Sequence, residues 1–533
     1  MQNGEMQNAE CRTMNSMGET VRRPLARASR LNSAFFILNS AFASLLAAQT
    51  ASPYIAASYW GTPYIEHFIA SGKMVDPAPL TRPLRADQVV RALQSMDTTR
   101  LWSGELKVVR TMLADLVRTE EGPYGRLDAD VGVAAATYAE RDPLELGRGV
   151  PNHDYGPKRG FGSAGLNLQL DLGPVVLVTH PVADTRLKYD PDWFGKKDRA
   201  IAGRTEESYV DAQWHYGELF FGRLDRNWGP SVVQGLLLSP NPYGLDHLGL
   251  TLGTSGIQLQ AIVTQLDTRI DSLNVSERRY MVQHRLWIHP GAWTVALWEG
   301  NVWAGADRGL EPWFLNVMNL GLLEQVNTGT NVNSFVGADF EVHGRITAFG
   351  QAMLDDIQVD KKTATDKKPA SWGFTVGAKG GLGAASWTAF YTQVADLTYR
   401  NEDNLQIPLY HGLGTGRNFD DYDQATLKLG WIAPGGLLLE PELTLLRQGE
   451  GDPRLPHPAP VDYPNTSALF QGIVQRTWRA ALGATWQQGP IHFTANGGVH
   501  YNQNEGHVSG QTKTRFVGTV ALSWRFHGAG RLP

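Results

Sequence analysis

Cysteine is nearly absent from this chain: Cys11 is the only one in 533 residues. No disulfide framework can hold the fold. An excess of one charge is also missing, with 48 Lys and Arg against 53 Asp and Glu, a net −5. Nucleic-acid binders carry a basic surplus, so no nucleic-acid partner is expected. Nor is there a long apolar run. The longest stretch, Ala34 to Ala48, is interrupted and shorter than the about 20 residues a spanning helix needs. With a mean hydropathy of −0.28, this excludes a polytopic helical membrane protein. Disorder is excluded as well, because 42% of the residues are hydrophobic and the net charge is small. The length then suits several ordinary domains or one very large β-structure.

Catalytic signatures are lacking too. The sequence has no Gly-x-Ser-x-Gly elbow, no His-Glu-x-x-His and no phosphate-cradling Gly-Lys-Ser/Thr loop. His153 and Asp154 are adjacent, so their side chains point apart, and the other histidines are scattered over different segments. No set of nucleophile, base and oxyanion donor can be named. The chain reads as a non-enzyme, with no cofactor and no metal site expected.

What is present begins with an export signal. Arg22, Arg23, Arg27 and Arg30 precede Ala34–Leu38 and then Ala41–Ala48. A basic region, an apolar core and small residues form a signal peptide, assigned to 1–48, with cleavage near Ala48 or Ala43. Cys11 lies upstream of the cut. Residues 49–121 read as a helical segment. Pro63 opens one helix that ends before Gly72, Val89, Val90 and Leu93 mark a second, and Ser103 serves as N-cap of a third. Three short amphipathic helices bury little alone and must pack on something larger.

From Leu127 the period changes. Leu166, Leu168 and Leu170 alternate with Asn167, Gln169 and Asp171, and Leu427, Leu429 and Trp431 with Thr426, Lys428 and Gly430. Successive strand side chains point to opposite faces, so each segment has one apolar and one polar face. Eight tight turns are expected: Gly173-Pro174, Tyr216-Gly217, Ser255-Gly256, Pro290-Gly291, His343-Gly344, Gly380 to Gly383, Pro434 to Gly436 and Gln488 to Pro490. The flanking segments are about ten residues long, the length of a tilted strand that crosses a bilayer. Nine long polar connections alternate with the turns. That parity gives about eighteen strands, with every long loop on one side. The expected fold is therefore all-β, a large antiparallel transmembrane β-barrel over 122–533 with a small N-terminal helical segment on its periplasmic side. Trp214, Trp287, Trp293, Trp298, Trp387, Trp431, Trp486 and Trp524 stand near strand ends and are read as an aromatic girdle. The last strand is expected to end at Phe526.

One segment is more specific. Phe221-Gly222-Arg223-Leu224-Asp225-Arg226-Asn227-Trp228-Gly229-Pro230, followed by Leu236-Leu237-Leu238-Ser239-Pro240-Asn241, resembles the signature of the Wzi family of capsule-assembly outer-membrane proteins. Tyr64 to Gly72 with Thr81-Arg82-Pro83-Leu84 is similar to that family's helical opening, and Phe349 to Asp356 to a mid-barrel strand ending in acids. The resemblance implies an eighteen-stranded barrel with a periplasmic helical bundle and a lectin-like role holding capsular or other surface polysaccharide. It implies the outer membrane of a Gram-negative-type bacterium. The partners expected are that polysaccharide, outer-membrane lipid and the barrel-insertion machinery.

Sugar rings stack on aromatic faces, while Arg and Asn donate to hydroxyls or carboxylates. The candidate glycan contacts are Arg226, Asn227 and Trp228, together with Tyr155, Arg159, Trp193, Trp313, Asn316, Tyr399 and Arg400; Lys158, Lys196, Lys197, Asn319 and Tyr410 beside them offer the same chemistry. The rival reading of the Trp-Gly-Pro block is a loop folded into the barrel, with Arg226 paired to Asp225 or another inner-wall acid. Asp355 and Asp356 are read as pairing with lumen arginines. The alternative function is a porin or channel for small solutes, because barrels of this size leave an aqueous bore unless something fills it.

Overall fold

The alternation seen in the sequence builds one closed sheet. The computed structural model describes residues 50–118, 120–137, 159–190, 192–271, 273–356 and 368–533. The signal peptide assigned to 1–48, the candidate Tyr155 and Lys158 lie outside them. Of Arg159 and Asp356 only the strand positions are described.

Eighteen long strands follow one another in the described residues. They are β1 Tyr124–Ala136, β2 Arg159–Asp171, β3 Val175–Asp184, β4 Ala202–Trp214, β5 Gly217–Arg223 and β6 Asp246–Gly253. Next come β7 Ile257–Gln265, β8 Ser276–Ile288, β9 Trp293–Gly305, β10 Asn333–Val342, β11 Ile346–Asp356 and β12 Ser371–Leu382. The last are β13 Ala385–Val394, β14 Tyr422–Ile432, β15 Leu438–Gln448, β16 Gln475–Gln488, β17 Ile491–Gln503 and β18 Thr512–Arg531. Each pairs antiparallel with its chain neighbours, and β1 pairs with both β2 and β18, which closes the cylinder. Closure leaves no edge of unpaired N–H and C=O groups, each costing several kcal/mol in hydrocarbon.

All eight expected turns join consecutive strands, and the long connections among the described residues fall at the opposite end. Gly173 and Gly436 carry the turns in left-handed backbone, at φ +76° and +87°, which a Cβ would disfavour. Leu127, Val131, Leu166, Phe221, Leu297, Leu443 and Leu482 stand exposed on the outer face. Gln260, Arg285, Asp339, Lys379, Thr426 and Arg479 are buried on the inner one.

Two expectations about the barrel need correction. Trp287 and Trp298 face the bore, where their indoles donate to the Pro79 carbonyl and to Asp339. The other six tryptophans of the set face outward near the tight turns. β18 also runs past Phe526 to Arg531, because His527 to Arg531 pair with Tyr124 to Asp128.

Three helices precede the barrel: α1 Thr62–Ala70, α2 Ala86–Gln94 and α3 Ser103–Leu116. Pro63 starts α1, where its missing N–H costs nothing. Ser103 is the first residue of α3 rather than its cap. Trp102 holds the cap position, and its N–H donates to Glu105 Oε2 at 3.0 Å. Tyr64, Phe68, Val89, Leu93, Val109 and Met112 pack into one cluster with Ile432 and Leu438, which flank a tight turn. Full burial of such side chains contributes about 1.5–3 kcal/mol each. Tyr64 donates its hydroxyl to the Gly436 and Thr485 carbonyls, both at 2.8 Å, so the helices sit at the turn end of the barrel.

Candidate functional site: the filled bore and the loop-end mouth

Connection 224–245 folds into the bore instead of standing above it. Asn227 Oδ1 accepts from the Gly235 N–H at 2.6 Å, which curls the loop back on itself. Asn227 and Trp228 pair antiparallel with Arg82 and Thr81, so this loop meets the N-terminal segment in mid-barrel. Gln351 Nε2 donates to the Trp228 carbonyl at 2.9 Å, and Gln351 Oε1 accepts from Leu236 N–H at 2.8 Å. Gly229 has φ +127°, and a Cβ there would lie 2.7 Å from the Gln351 amide. This is why glycine follows the tryptophan.

Arg226, Asn227 and Trp228 are therefore internal. The Arg226 guanidinium lies 4.5 Å from the Phe220 ring centroid and 5.0 Å from that of Tyr54. It lies 3.7 Å from Glu218 on the inner wall, and that acid, not Asp225, is its ion-pair partner. Asp225 is half-buried at the start of the loop. Arg285 lies 5.2 Å from the centroid of the buried Trp228 ring and pairs with Asp339 at 3.0 Å.

Connection 395–421 also folds inward and joins the first. Tyr399 donates its hydroxyl to Leu236 O at 2.6 Å, Ser239 N–H to Thr415 O at 2.8 Å, and Asn241 Nδ2 to Gly414 O at 2.8 Å. Arg279 caps three carbonyls of the loop, those of Leu405, Ile407 and Leu409. Leu236, Leu237, Met281, Phe335, Met353 and Phe419 form an apolar core inside the barrel. Asp355 Oδ2 accepts the Tyr399 N–H at 2.9 Å, and Arg400 pairs with Asp396 at 2.9 Å and Asp420 at 3.3 Å. Leu397, Tyr399, His411 and Asp421 hold positive φ, a strained backbone for residues with a Cβ. Asp421 accepts N–H groups of Gly451, Phe470 and Gln471, tying the loop to connection 449–474. Burial outweighs these hydrogen bonds and pushes its carboxyl up to about 6.

At the loop end three connections bring aromatics together. Trp193 meets Phe194 and Tyr243, both at 5.1 Å between ring centroids. Phe194 stacks on His411 at 4.0 Å, and Tyr410 stands 6.1 Å away. Trp193 is buried beneath, while Phe194 is 45% exposed. Arg204 lies 5.4 Å from the Tyr243 ring, and Arg223 pairs with Asp246 nearby. Of the sequence candidates, Trp193 and Tyr410 belong to this cluster. Trp313 and Asn316 lie on connection 306–332, and Tyr399 and Arg400 are buried in the bore. Phe194, Tyr243 and His411 were not anticipated, although the adjacent pairs Trp193-Phe194 and Tyr410-His411 were visible in long loops. Elsewhere in the bore, a cavity of about 580 Å³ beside Thr50 to Trp60 is lined by Asp128, Asp130, His180, Glu206, Glu207 and Arg525 among others. Its charged lining is mainly acidic.

A closed cylinder of eighteen antiparallel strands, apolar outside and polar within, is an outer-membrane β-barrel. No family model and no curated protein matches the chain. Among solved structures its fold is like that of Wzi of Escherichia coli, an outer-membrane protein involved in group 1 capsule assembly and a carbohydrate-binding β-barrel. The two share 12% identity, over 90% of this chain and 100% of the other, at a TM-score of 0.58. Pseudomonas aeruginosa OprD aligns at 11% identity over 76% of this chain and 95% of its own, TM-score 0.42. Acinetobacter baumannii OccAB4 aligns at 6% over 77% and 99%, TM-score 0.43.

Proposed function

We propose that this barrel binds surface polysaccharide at its loop-end mouth, in a lectin-like way that supports capsule assembly or attachment, and that it is not an enzyme. The observation that carries the reading is the filled bore. Loop 224–245 bonds to the N-terminal segment on one side and to loop 395–421 on the other, so polypeptide occupies the path a solute would take. Among the described residues, the loop end displays the Phe194, Tyr410 and His411 platform, flanked by Arg204 and Arg223. Exposed rings suit stacking by a sugar, and the arginines beside them, paired with Glu206 and Asp246, keep further donors for its oxygens. The acidic cavity does not suit an anionic glycan, which favours the mouth over the bore. Carbohydrate binding by the structurally similar Wzi supports the same reading.

In this account residues 1–48 direct export, the barrel-insertion machinery places the chain, and α1 to α3 face the periplasm. A strain lacking the protein should shed polysaccharide into the medium. Phe194→Ala with Tyr410→Ala should weaken glycan retention while the barrel still folds. Each lost ring contact costs about 1 kcal/mol, roughly fivefold in affinity. Unchanged retention in the deletion strain, as measured by polysaccharide in the culture supernatant, would overturn the proposal.

A further inference from the structure

Connection 306–332 does not fold inward like 224–245 and 395–421: it folds down over the outside of the barrel wall. Its helix Gly321–Thr328 packs on the outward faces of β9 and β10. Gly321 N–H donates to Glu299 Oε1 at 3.0 Å, and the same oxygen meets His284 Nδ1 at 3.0 Å. Asn301 accepts from Ser334 Oγ at 2.8 Å, and a Cβ on Gly321 would lie 2.6 Å from the Asn301 amide. Beside them Phe314 stacks on Trp303 at 4.7 Å. The strand register puts these residues on the lipid side. Glu299 pairs with Val336, which pairs with the exposed Leu354, and two residues before Glu299 stands the exposed Leu297.

Depth follows from strand geometry. Glu299 is six residues beyond Trp293, the outward tryptophan at the turn end. At about 3.4 Å per residue and a tilt near 40°, it stands about 15 Å above that girdle. The apolar band of such barrels is about 25 Å tall, so Glu299 falls inside it. An acid and an imidazole there need a cover, and the helix supplies it.

Much of the cover's outward surface is apolar, with Asn316, Asn327 and Thr328 exposed beside it. Trp313, Met318, Leu320, Leu323 and Val326 are exposed, Val326 at 71%. No lysine or arginine occurs from 309 to 332. A loop in water would not display such a surface, whereas one continuous with the lipid-facing band would.

We infer that residues 306–332 form a flap immersed among the acyl chains of the surrounding lipid, shielding the Glu299, His284 and Asn301 cluster. The occupant of its outer surface is lipid, not a second copy or a glycan. The test is spin labelling of the full chain with Cys11→Ser, in phosphatidylethanolamine–phosphatidylglycerol vesicles. Labels go on Val326→Cys and, separately, Met318→Cys. Leu297→Cys on the outer wall and Val461→Cys in connection 449–474 set the lipid and water references. Both flap labels should collide more often with oxygen than with a nickel chelate, as at Leu297. Water-like accessibility matching Val461, or dipolar broadening between copies, would overturn the inference.

Discussion

Arg285 is buried at the point where three pieces of chain meet. It pairs with Asp339, donates to the Leu80 carbonyl at 2.9 Å and to Thr81 Oγ1 at 2.8 Å, and covers the Trp228 ring. Removing one partner of a buried pair leaves the other charged and unsolvated, which costs about 3–5 kcal/mol. Arg285→Met should therefore lower the thermal unfolding temperature in detergent. Replacing Asp339 by asparagine in the same chain should recover part of the loss. If Arg285→Met alone leaves the unfolding temperature unchanged, this contact does not hold the filling in place.

The inward loops carry their own pH dependence. Asp421 titrates near 6 instead of near the ordinary 3.8, because it is buried. A raised carboxyl favours the folded loops below its ordinary value, and that contribution fades as pH rises through about 6. Connections 395–421 and 449–474 should therefore hold together more tightly at pH 5 than at pH 7. Hydrogen exchange at the Phe470 and Gln471 amides, corrected for intrinsic rates, should slow on acidification. Asp421→Asn should flatten the difference, and faster exchange at pH 5 would refute the assignment. These tertiary ties also mark where sequence stopped being informative. Turns, long connections and strand number were legible, since alternation and Gly or Pro punctuation are local. Which way a long loop folds is not local, so Arg226, Asn227 and Trp228 read equally well as ligands or as filling. Trp287 and Trp298 were misplaced because nearness to a strand end does not fix the face a side chain takes. Register does, and here it aligns them with the inward Arg285 and Asp339. The lack of basic residues in 309–332 was in plain view and was the one local sign of the outer flap.

Taken as a cylinder, the molecule separates its two surfaces by chemistry. The outside meets lipid, and the inside is occupied from the turn end by helices and the 78–82 segment, and from the loop end by 224–245 and 395–421. On the proposed reading, such filling would turn a barrel wide enough for an aqueous channel into a support for whatever its mouth displays. Conductance in planar bilayers tests this most directly. The purified, folded protein should insert and leave the baseline current flat under an applied voltage. Steady steps on the nanosiemens scale would contradict a filled bore and return the molecule to the class of diffusion pores.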